Sequence, residues 1–348
     1  MIQAKARAVN GPTDKFQAIT IERRDVGSKD VLIEIQFAGI CHSDIHTARG
    51  EWRDIEYPFV PGHEIVGIVK EVGPDVTKYK VGDRVGVGCM VDSCGTCEYC
   101  KAGEEHLCEN GSVGTYASID KYGDGKVTQG GYSSHVVVKE NFVMRIPEGL
   151  ELDVAAPLLC AGITTYSPLK QWGVGPGKKV AVVGLGGLGH MAVKLAHALG
   201  AEVTVLSHSD KKRDDSTKFG AEHYVNTSEE GSLDALKGSF DLILNTVSVP
   251  LDLGTYLALL QPRGVMVYVG LPPESLSLHI GALIGGRKVL TGSNIGGIPE
   301  TQEMLDFCAE HGVAPQIEKI TADQIDEAYE RVVNSDVRYR FVIDNATL

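Results

Sequence analysis

The chain has 348 residues, of which 43% are hydrophobic and 23% charged, and its formal net charge is −13. The length predicts two domains, and the acidic balance excludes nucleic acid and anionic membrane as expected partners, because both carry negative charge. The start MIQAKARAVNG lacks a signal-peptide pattern, and no stretch is apolar over the length of a bilayer. We therefore expect a cytoplasmic protein with reduced thiols.

The first half of the chain begins with a strand pattern and a group of metal-binding residue types. Polar and apolar residues alternate in DVLIEIQF, which predicts a half-buried strand. Cys41 then opens CHSDIH, and His63 and Glu64 follow in PGHEIVG. The second motif is not an HExxH helix, because Gly67 stands where the second histidine would be.

Four of the eight cysteines lie within sixteen residues, in SCGTCEYCKAGEEHLC; they are Cys94, Cys97, Cys100 and Cys108. Thiolates at this spacing can complete a tetrahedron around zinc. The alternatives are disulfides, which a reducing compartment disfavours, and an iron–sulfur cluster, for which the ferredoxin spacings differ. A zinc ion with four thiolates has no open position, so the pattern predicts a structural site and not a catalytic one.

Cys160 follows in the apolar stretch APLLCAGIT. Together with Cys41 and His63 it would give a three-ligand zinc with one open position, the pattern of catalytic zinc. From the residues alone, however, a cysteine in such a setting is more often a small packing residue. Cys89 and Cys308 are interpreted as packing residues.

A dinucleotide-binding pattern begins at residue 179. The apolar run 179–183 predicts a buried parallel strand, and the G-x-G-x-x-G of Gly184, Gly186 and Gly189 opens a helix that ends at Gly200. A second strand follows at 203–206. Further strands are predicted near 223–226, 240–247, 265–270 and 288–292. This alternation predicts an α/β fold with a doubly wound parallel sheet.

The residues after the second strand favour NADP over NAD. An NAD-binding domain usually has an acidic residue there for the ribose, but this strand ends in Ser207-His208-Ser209, and the first carboxylate is Asp210. Cations at the start of the next helix oppose its dipole, which makes sense if they bind the 2′-phosphate. The predicted phosphate ligands are Ser207, Ser209, Lys212 and Arg213. The alternative is a solvated basic turn offset by nearby aspartates.

The order of these motifs resembles the zinc-dependent medium-chain dehydrogenase/reductase family. Within it, the chain is most similar to the cinnamyl-alcohol-dehydrogenase branch, which includes bacterial broad-range aldehyde reductases. The similarity covers nearly the whole chain. It rests on AGICHSDIH, YPFVPGHEIVG, VGDRVGVGC, APLLCAGITTYSPL, VGLGGLGHMAVKLA, GSNIGGIPETQEMLDFCAEH and RYRFVIDN.

The resemblance implies an architecture. A GroES-like β-rich catalytic domain would cover residues 1–157, with the structural zinc lobe at about 89–115, and would return at 296–348. A Rossmann domain would occupy 158–295. In this family the last strands of two sheets join, so RKVLTGS at 287–293 implies a homodimer.

The resemblance also implies site residues. Catalytic zinc would be held by Cys41, His63 and Cys160, with Glu64 as an alternate ligand. Ser43 and His46 would pass the proton, and Asp44 would orient His63. The cofactor would be bound by Gly184, Gly186, Gly187, Leu188, Gly189, His42 and Thr164 in addition to the phosphate ligands. Trp52 and Ile295 would line the substrate pocket, although a tryptophan is as often a core residue.

These expectations lead to one main hypothesis and two alternatives. The main hypothesis is an NADP(H)-dependent zinc alcohol dehydrogenase that works mainly as an aldehyde reductase. An enzymatic alternative is an NAD-linked polyol dehydrogenase of the sorbitol or mannitol type. A different class is a catalytically silent dinucleotide-binding protein, which the complete ligand set argues against.

Overall fold

The computed structural model describes residues 1–348 and divides the chain into two units, residues 1–163 with 296–348 and residues 164–295. The expected boundary at 157 lies inside the first unit. The strands are β1 Ile2–Ala8, β2 Gln17–Arg23, β3 Asp30–Gly39, β4 Ile65–Val72, β5 Arg84–Val87, β6 Met90–Asp92, β7 Val113–Gly114, β8 His135–Lys139, β9 Met144–Arg145, β10 Lys179–Val183, β11 Glu202–Ser207, β12 His223–Asn226, β13 Phe240–Asn245, β14 Leu260–Tyr268, β15 Val289–Gly292, β16 Ile317–Ile320 and β17 Arg340–Asp344.

The helices are α1 His42–Ala48, α2 Glu98–Lys101, α3 Leu152–Ala155, α4 Ala161–Gln171, α5 Gly189–Ala198, α6 Arg213–Lys218, α7 Leu253–Leu259, α8 Gly281–Ile284, α9 Ile298–His311 and α10 Ile325–Val333. Short 3-10 helices lie at Glu105–Leu107, Glu140–Phe142, Ala156–Leu159, Asp210–Lys212, Asp234–Leu236, Ala322–Gln324 and Asn345–Thr347. None of the helices combines the length and the apolar character needed to cross a membrane.

The first unit is built on a seven-stranded mixed sheet in which β3 is the central strand. The order is β16-β17-β3-β4-β5-β9, and β8 also pairs with β3. The strand predicted from DVLIEIQF is therefore present, but it alternates in burial over only part of its length. Residues 30–33 are all buried, whereas Glu34 and Gln36 are half-buried on either side of the buried Ile35.

The core of the first unit brings residues from both ends of the chain together. Helix α10 buries Ile325, Ala328, Tyr329 and Val332, a spacing that places all four on one face. This face packs in a cluster with residues of β1, β3 and β17, including the fully buried Phe341. The C-terminal segment thereby completes the unit that carries Cys41 and His63.

The second unit is a six-stranded parallel sheet, as predicted. Its order is β12-β11-β10-β13-β14-β15, which numbered from β10 is the 3-2-1-4-5-6 order of dinucleotide-binding sheets. The order reverses between β10 and β13, and ligands of such sheets bind at this switch point, beyond the carboxyl ends of the strands. Strand β15 is the edge strand on one side.

The turn after β10 needs glycine at two positions. Gly184 has φ +89°, a left-handed conformation that a residue with a side chain rarely adopts. A Cβ atom on Gly189 would overlap the carbonyl oxygen of Gly184. The turn therefore brings the N-terminus of α5 directly behind β10, where backbone N–H groups can receive a phosphate.

Candidate functional site

Four metal-binding side chains converge in the first unit. Cys41 immediately precedes α1, His63 and Glu64 immediately precede β4, and Cys160 ends the 3-10 helix before α4. All four are buried, and their ligand atoms lie within 4.8 Å of one another. The Sγ atoms of Cys41 and Cys160 are 3.9 Å apart. The set therefore offers two sulfurs, one imidazole nitrogen and one carboxylate oxygen, which suits zinc.

Asp44 fixes the imidazole of His63. Its carboxylate is fully buried and accepts hydrogen bonds from the backbone N–H groups of Cys41 at 2.8 Å and Gly62 at 3.2 Å. Nδ1 of His63 lies 3.1 Å from Oδ1 of Asp44 and 3.0 Å from the hydroxyl of Tyr116. Because Nδ1 is engaged in this way, Nε2 is the nitrogen left for a metal.

Glu64 is held by a buried arginine. Arg340, in β17, forms an ion pair and hydrogen bond with Oε1 of Glu64, and the two side chains are 6% and 0% exposed. Burial acts to lower the pKa of Arg340, but Glu64, Cys41 and Cys160 raise it above its ordinary value, so the guanidinium stays charged. Oε2 of Glu64 is buried without a hydrogen-bond partner, which leaves a free oxygen that a metal could use.

The thiols of this cluster differ in acidity. A hydrogen bond from Cys160, reinforced by His63 and Arg340, holds the pKa of Cys41 well below its ordinary value. The same hydrogen bond, together with one involving Cys89, raises the pKa of Cys160. Zinc requires both sulfurs as thiolates and releases the remaining proton when it binds. The hydrogen bond with Cys160 also shows that Cys89, interpreted from the sequence as a packing residue, lies beside this cluster.

The four clustered cysteines also converge. Their sulfurs lie within 4.8 Å of one another. The backbone N–H groups of Thr96 and Cys97 donate to the sulfur of Cys94, at 3.5 and 3.4 Å, and that of Cys100 donates to the sulfur of Cys97 at 3.5 Å. Such bonds stabilise thiolates. All eight cysteines of the chain are free, so the geometry suits a tetrahedral thiolate zinc site and not a disulfide pair.

Helix α1 places the remaining reactive side chains next to Cys41. The sulfur of Cys41 lies 3.6 Å from the hydroxyl of Ser43. One turn later, Nδ1 of His46 lies 2.5 Å from a carboxylate oxygen of Glu51. The ring of His46 also stacks on Trp52, with centroids 4.9 Å apart. The side chain of Trp52 is 49% exposed, so the alternative that it is a core residue is wrong.

The glycine loop of the second unit is held by two side chains. His190, fully buried, has Nδ1 at 2.9 Å from the carbonyl oxygen of Gly187 and 3.2 Å from that of Gly186. The amine of Lys212 donates to the carbonyl of Leu185 at 3.0 Å. Ser207 is buried at the end of β11. The hydrogen bond from Lys212 therefore links the basic turn at 210–213 to the glycine loop.

The other sequence-predicted residues occupy varied positions. His42 is exposed at the start of α1, and Thr164 is buried within α4. Ile295 is half-buried with φ +35°, a conformation that β-branched residues rarely adopt and that often marks functional segments. Arg213 donates hydrogen bonds to the carboxylate of Asp210 and to the carbonyl oxygen of Tyr224.

Comparison with known proteins assigns the family. Residues 27–148 match the model of the alcohol dehydrogenase GroES-like domain, and residues 187–310 match that of zinc-binding dehydrogenases. NADP-dependent alcohol dehydrogenase C 1 of Mycolicibacterium smegmatis is 62% identical, over 100% of this chain and 99% of that protein. The chain belongs to the zinc-dependent medium-chain dehydrogenase/reductase family.

Two further relatives place the chain within this dehydrogenase family. Aldehyde reductase YahK of Escherichia coli is 53% identical, with 99% of both chains covered. The crystal structure of CAD from Helicobacter pylori, complexed with NADP(H), superposes with a TM-score of 0.93 and 44% identity, and 99% of both chains is covered. The predicted GroES-like and Rossmann-type fold is confirmed, and the chain is an oxidoreductase.

Sequence reasoning missed three residues of this dehydrogenase site. Arg340 lies in the motif RYRFVIDN, but its distance along the chain from Glu64 hid the ion pair. Tyr116 has no sequence signal beyond its place after the cysteine lobe. Glu51 lies five residues after His46, just beyond α1, and a carboxylate at that point is an available but weak signal.

Proposed function

We propose that the chain is an NADP(H)-dependent alcohol dehydrogenase that works mainly as a reductase of aromatic and medium-length aliphatic aldehydes. The observation that carries the proposal is the buried set of Cys41, His63 and Cys160 next to the hydroxyl of Ser43. A silent dinucleotide-binding protein would have no need to keep these groups together at the cost of burying them.

The metal cluster fits catalytic zinc. Cys41, His63 and Cys160 would hold the ion, and Arg340 would keep Glu64 as a reserve ligand. Bound zinc would polarise an aldehyde carbonyl as a Lewis acid, and NADPH would supply the hydride. Asp44 would keep the imidazole of His63 in one tautomer and orientation. The four thiolates of the cysteine lobe would hold a second, structural zinc ion, which gives two per chain.

Helix α1 would supply the proton. The hydroxyl of Ser43 would donate to a developing alkoxide, and His46 would replace that proton. The contact between Glu51 and Nδ1 of His46 would keep a proton on Nδ1 and leave Nε2 to accept and release one. In this scheme Glu51 is a positioning residue.

The cofactor is proposed to be NADP(H). Two of the relatives support this, since the protein of Mycolicibacterium smegmatis is named as NADP-dependent and the structure from Helicobacter pylori was solved with NADP(H). Ser207, at the end of β11, occupies the place where an NAD-linked enzyme would have an acidic residue. This argues against the alternative of an NAD-linked polyol dehydrogenase. Lys212, whose amine donates a hydrogen bond to the glycine loop, would bind the 2′-phosphate.

Three further proposals concern the substrate pocket, the oligomeric state and the location of the protein in the cell. Trp52 and Ile295 would each contribute to the substrate pocket. The edge strand β15 would pair with its copy to form a homodimer, and Ile280 and Ile284, which are 60% and 72% exposed, would be covered in the process. The protein would reside in the cytoplasm, where the thiols of both clusters remain reduced.

A steady-state screen tests the proposal. Benzaldehyde, cinnamaldehyde and straight-chain aldehydes are offered with NADPH and with NADH side by side, and sorbitol and mannitol with the oxidised cofactors. We expect aldehyde reduction with NADPH to dominate. Turnover of polyols with NAD as the preferred reaction would support the alternative, and no turnover of any pair by zinc-loaded protein would support the silent class.

A further inference from the structure

Asp210 is the acidic residue that follows the end of β11 most closely in the chain. It follows closely on Ser207, which holds the place where NAD-binding sheets carry the acid that accepts the ribose hydroxyls. The residues before it, Ser207-His208-Ser209, carry no charge of that sign. A free carboxylate here would attract NADH and repel the 2′-phosphate of NADPH.

Both carboxylate oxygens of Asp210 accept hydrogen bonds from neighbouring side chains. Oδ1 accepts hydrogen bonds from Nη2 and Nε of Arg213 at 2.5 and 3.1 Å. Oδ2 accepts a hydrogen bond from the side-chain amide of Asn226 in β12 at 3.0 Å. The hydrogen bonds from Arg213 and Asn226 lower the pKa of Asp210, so the carboxylate remains charged but is paired.

The guanidinium of Arg213 is held against Tyr224. Its Nη1 donates to the carbonyl oxygen of Tyr224 at 3.1 Å, and its guanidinium carbon lies 4.7 Å above the centroid of the Tyr224 ring. The hydroxyl of Tyr224 donates to the carbonyl of Ser209, which fixes the turn between β11 and the basic helix start. The fork of Arg213 is therefore directed at protein groups.

We infer that Arg213 sets cofactor preference by masking Asp210, and not by binding the 2′-phosphate itself. The inference rests on the proposed use of NADP(H) and changes the role that the sequence suggested for Arg213. In this arrangement Arg213 neutralises the acid that would otherwise favour NADH, and Asn226 occupies its second oxygen. Lys212, whose amine reaches the glycine loop, stays the phosphate ligand.

The test is a double-mutant cycle in the full-length, zinc-loaded protein. Dissociation constants for NADPH and NADH are measured by nicotinamide fluorescence for the wild type, Arg213→Gln, Asp210→Asn and the double variant. Lys211→Gln is the matched control, since it removes one positive charge from the same turn and Lys211 is exposed. Titrations at low and at moderate salt separate long-range charge effects from direct contacts.

Masking predicts a specific pattern. Arg213→Gln should weaken NADPH, tighten NADH and lower the NADPH:NADH affinity ratio by about tenfold, roughly the size of one charge-assisted contact. Asp210→Asn in the same chain should restore most of that ratio, because the unmasked acid is gone. Lys211→Gln should change the ratio by less than about twofold.

Two results would overturn the inference. One is a loss of NADPH affinity in Arg213→Gln with NADH unchanged and no recovery in the double variant, since that is the behaviour of a direct phosphate ligand. The other is an equal ratio change in Lys211→Gln, which would indicate charge alone. A wild type without preference for NADPH would instead contradict the proposed cofactor, and the cycle would still report whether Arg213 acts through Asp210.

Discussion

Arg340 and Glu64 form a buried ion pair although they are 276 positions apart in the chain. The pair joins the last strand, β17, to the segment that supplies His63, within the metal cluster. Breaking a buried pair by removing one partner leaves an uncompensated charge, which usually costs more than the pair contributes. The pair therefore makes the C-terminal segment necessary for the geometry of the site.

The first prediction concerns this pair. Arg340→Met should lower the free energy of unfolding by roughly 3–5 kcal/mol, because Glu64 loses the buried cation with which it is paired. Glu64→Gln should cost less, since the charges of Cys41 and Cys160 still stabilise the guanidinium of Arg340. Urea unfolding of the zinc-loaded variants gives both numbers. A loss below about 1 kcal/mol for Arg340→Met would show that the pair is not needed for folding.

The cysteine lobe leads to a second prediction. Cys100→Ser should release one of the two zinc ions and lower the yield of folded protein, because binding of structural zinc contributes directly to folding. Cys308→Ala is the control, since Cys308 is buried in α9 beside Met304, away from either cluster. Elemental analysis should find one zinc ion per chain in the first variant and two in the second. A stable but inactive Cys100→Ser protein would contradict the structural role.

A third prediction concerns proton transfer in α1. His46→Gln should slow turnover by roughly one to two orders of magnitude and change its pH profile, with NADPH affinity within about twofold of the wild type. Glu51→Gln should have a smaller effect in the same direction, because the imidazole remains but its orientation is less well fixed. An unchanged rate and pH profile in His46→Gln would remove His46 from the reaction.

The fourth prediction concerns the end of β11. Two or three charge-assisted contacts to the 2′-phosphate should give the wild type at least about a hundredfold preference for NADPH in kcat/KM. Ser207→Asp should reverse part of this preference by repelling the phosphate and offering NADH a ribose acceptor. Lys212→Ala should weaken NADPH more than NADH. Equal losses with both cofactors would mean that Lys212 only supports the loop.

The second unit could be predicted closely from the sequence. Strand, glycines, helix and strand follow one another within about thirty residues, so local patterns suffice, and the strand predicted at 179–183 coincides with β10. The order of the six strands follows from general rules for parallel sheets. The cysteine lobe was equally accessible, because its four ligands lie close together in the chain.

The first unit could be predicted less fully, because its contacts are between distant segments. Nothing in the sequence pairs Arg340 with Glu64 or brings Tyr116 to His63. The motif DVLIEIQF alternates as a half-exposed strand does, yet residues 30–33 are all buried. The spacing of the residues alone favours a packing role for Cys160. Only the resemblance to the family predicts that it is a zinc ligand.

The most direct test of the whole account is therefore made at Cys160. Cys160→Ala is compared with the wild type for zinc content, NADPH dissociation constant and rate of aldehyde reduction. If Cys41, His63 and Cys160 hold the zinc at which aldehydes are reduced, the variant should lose one zinc ion and at least about a thousandfold in kcat, and should bind NADPH within about twofold of the wild type. A variant that retains two zinc ions, or that reduces aldehydes at a rate close to that of the wild type, would contradict the account.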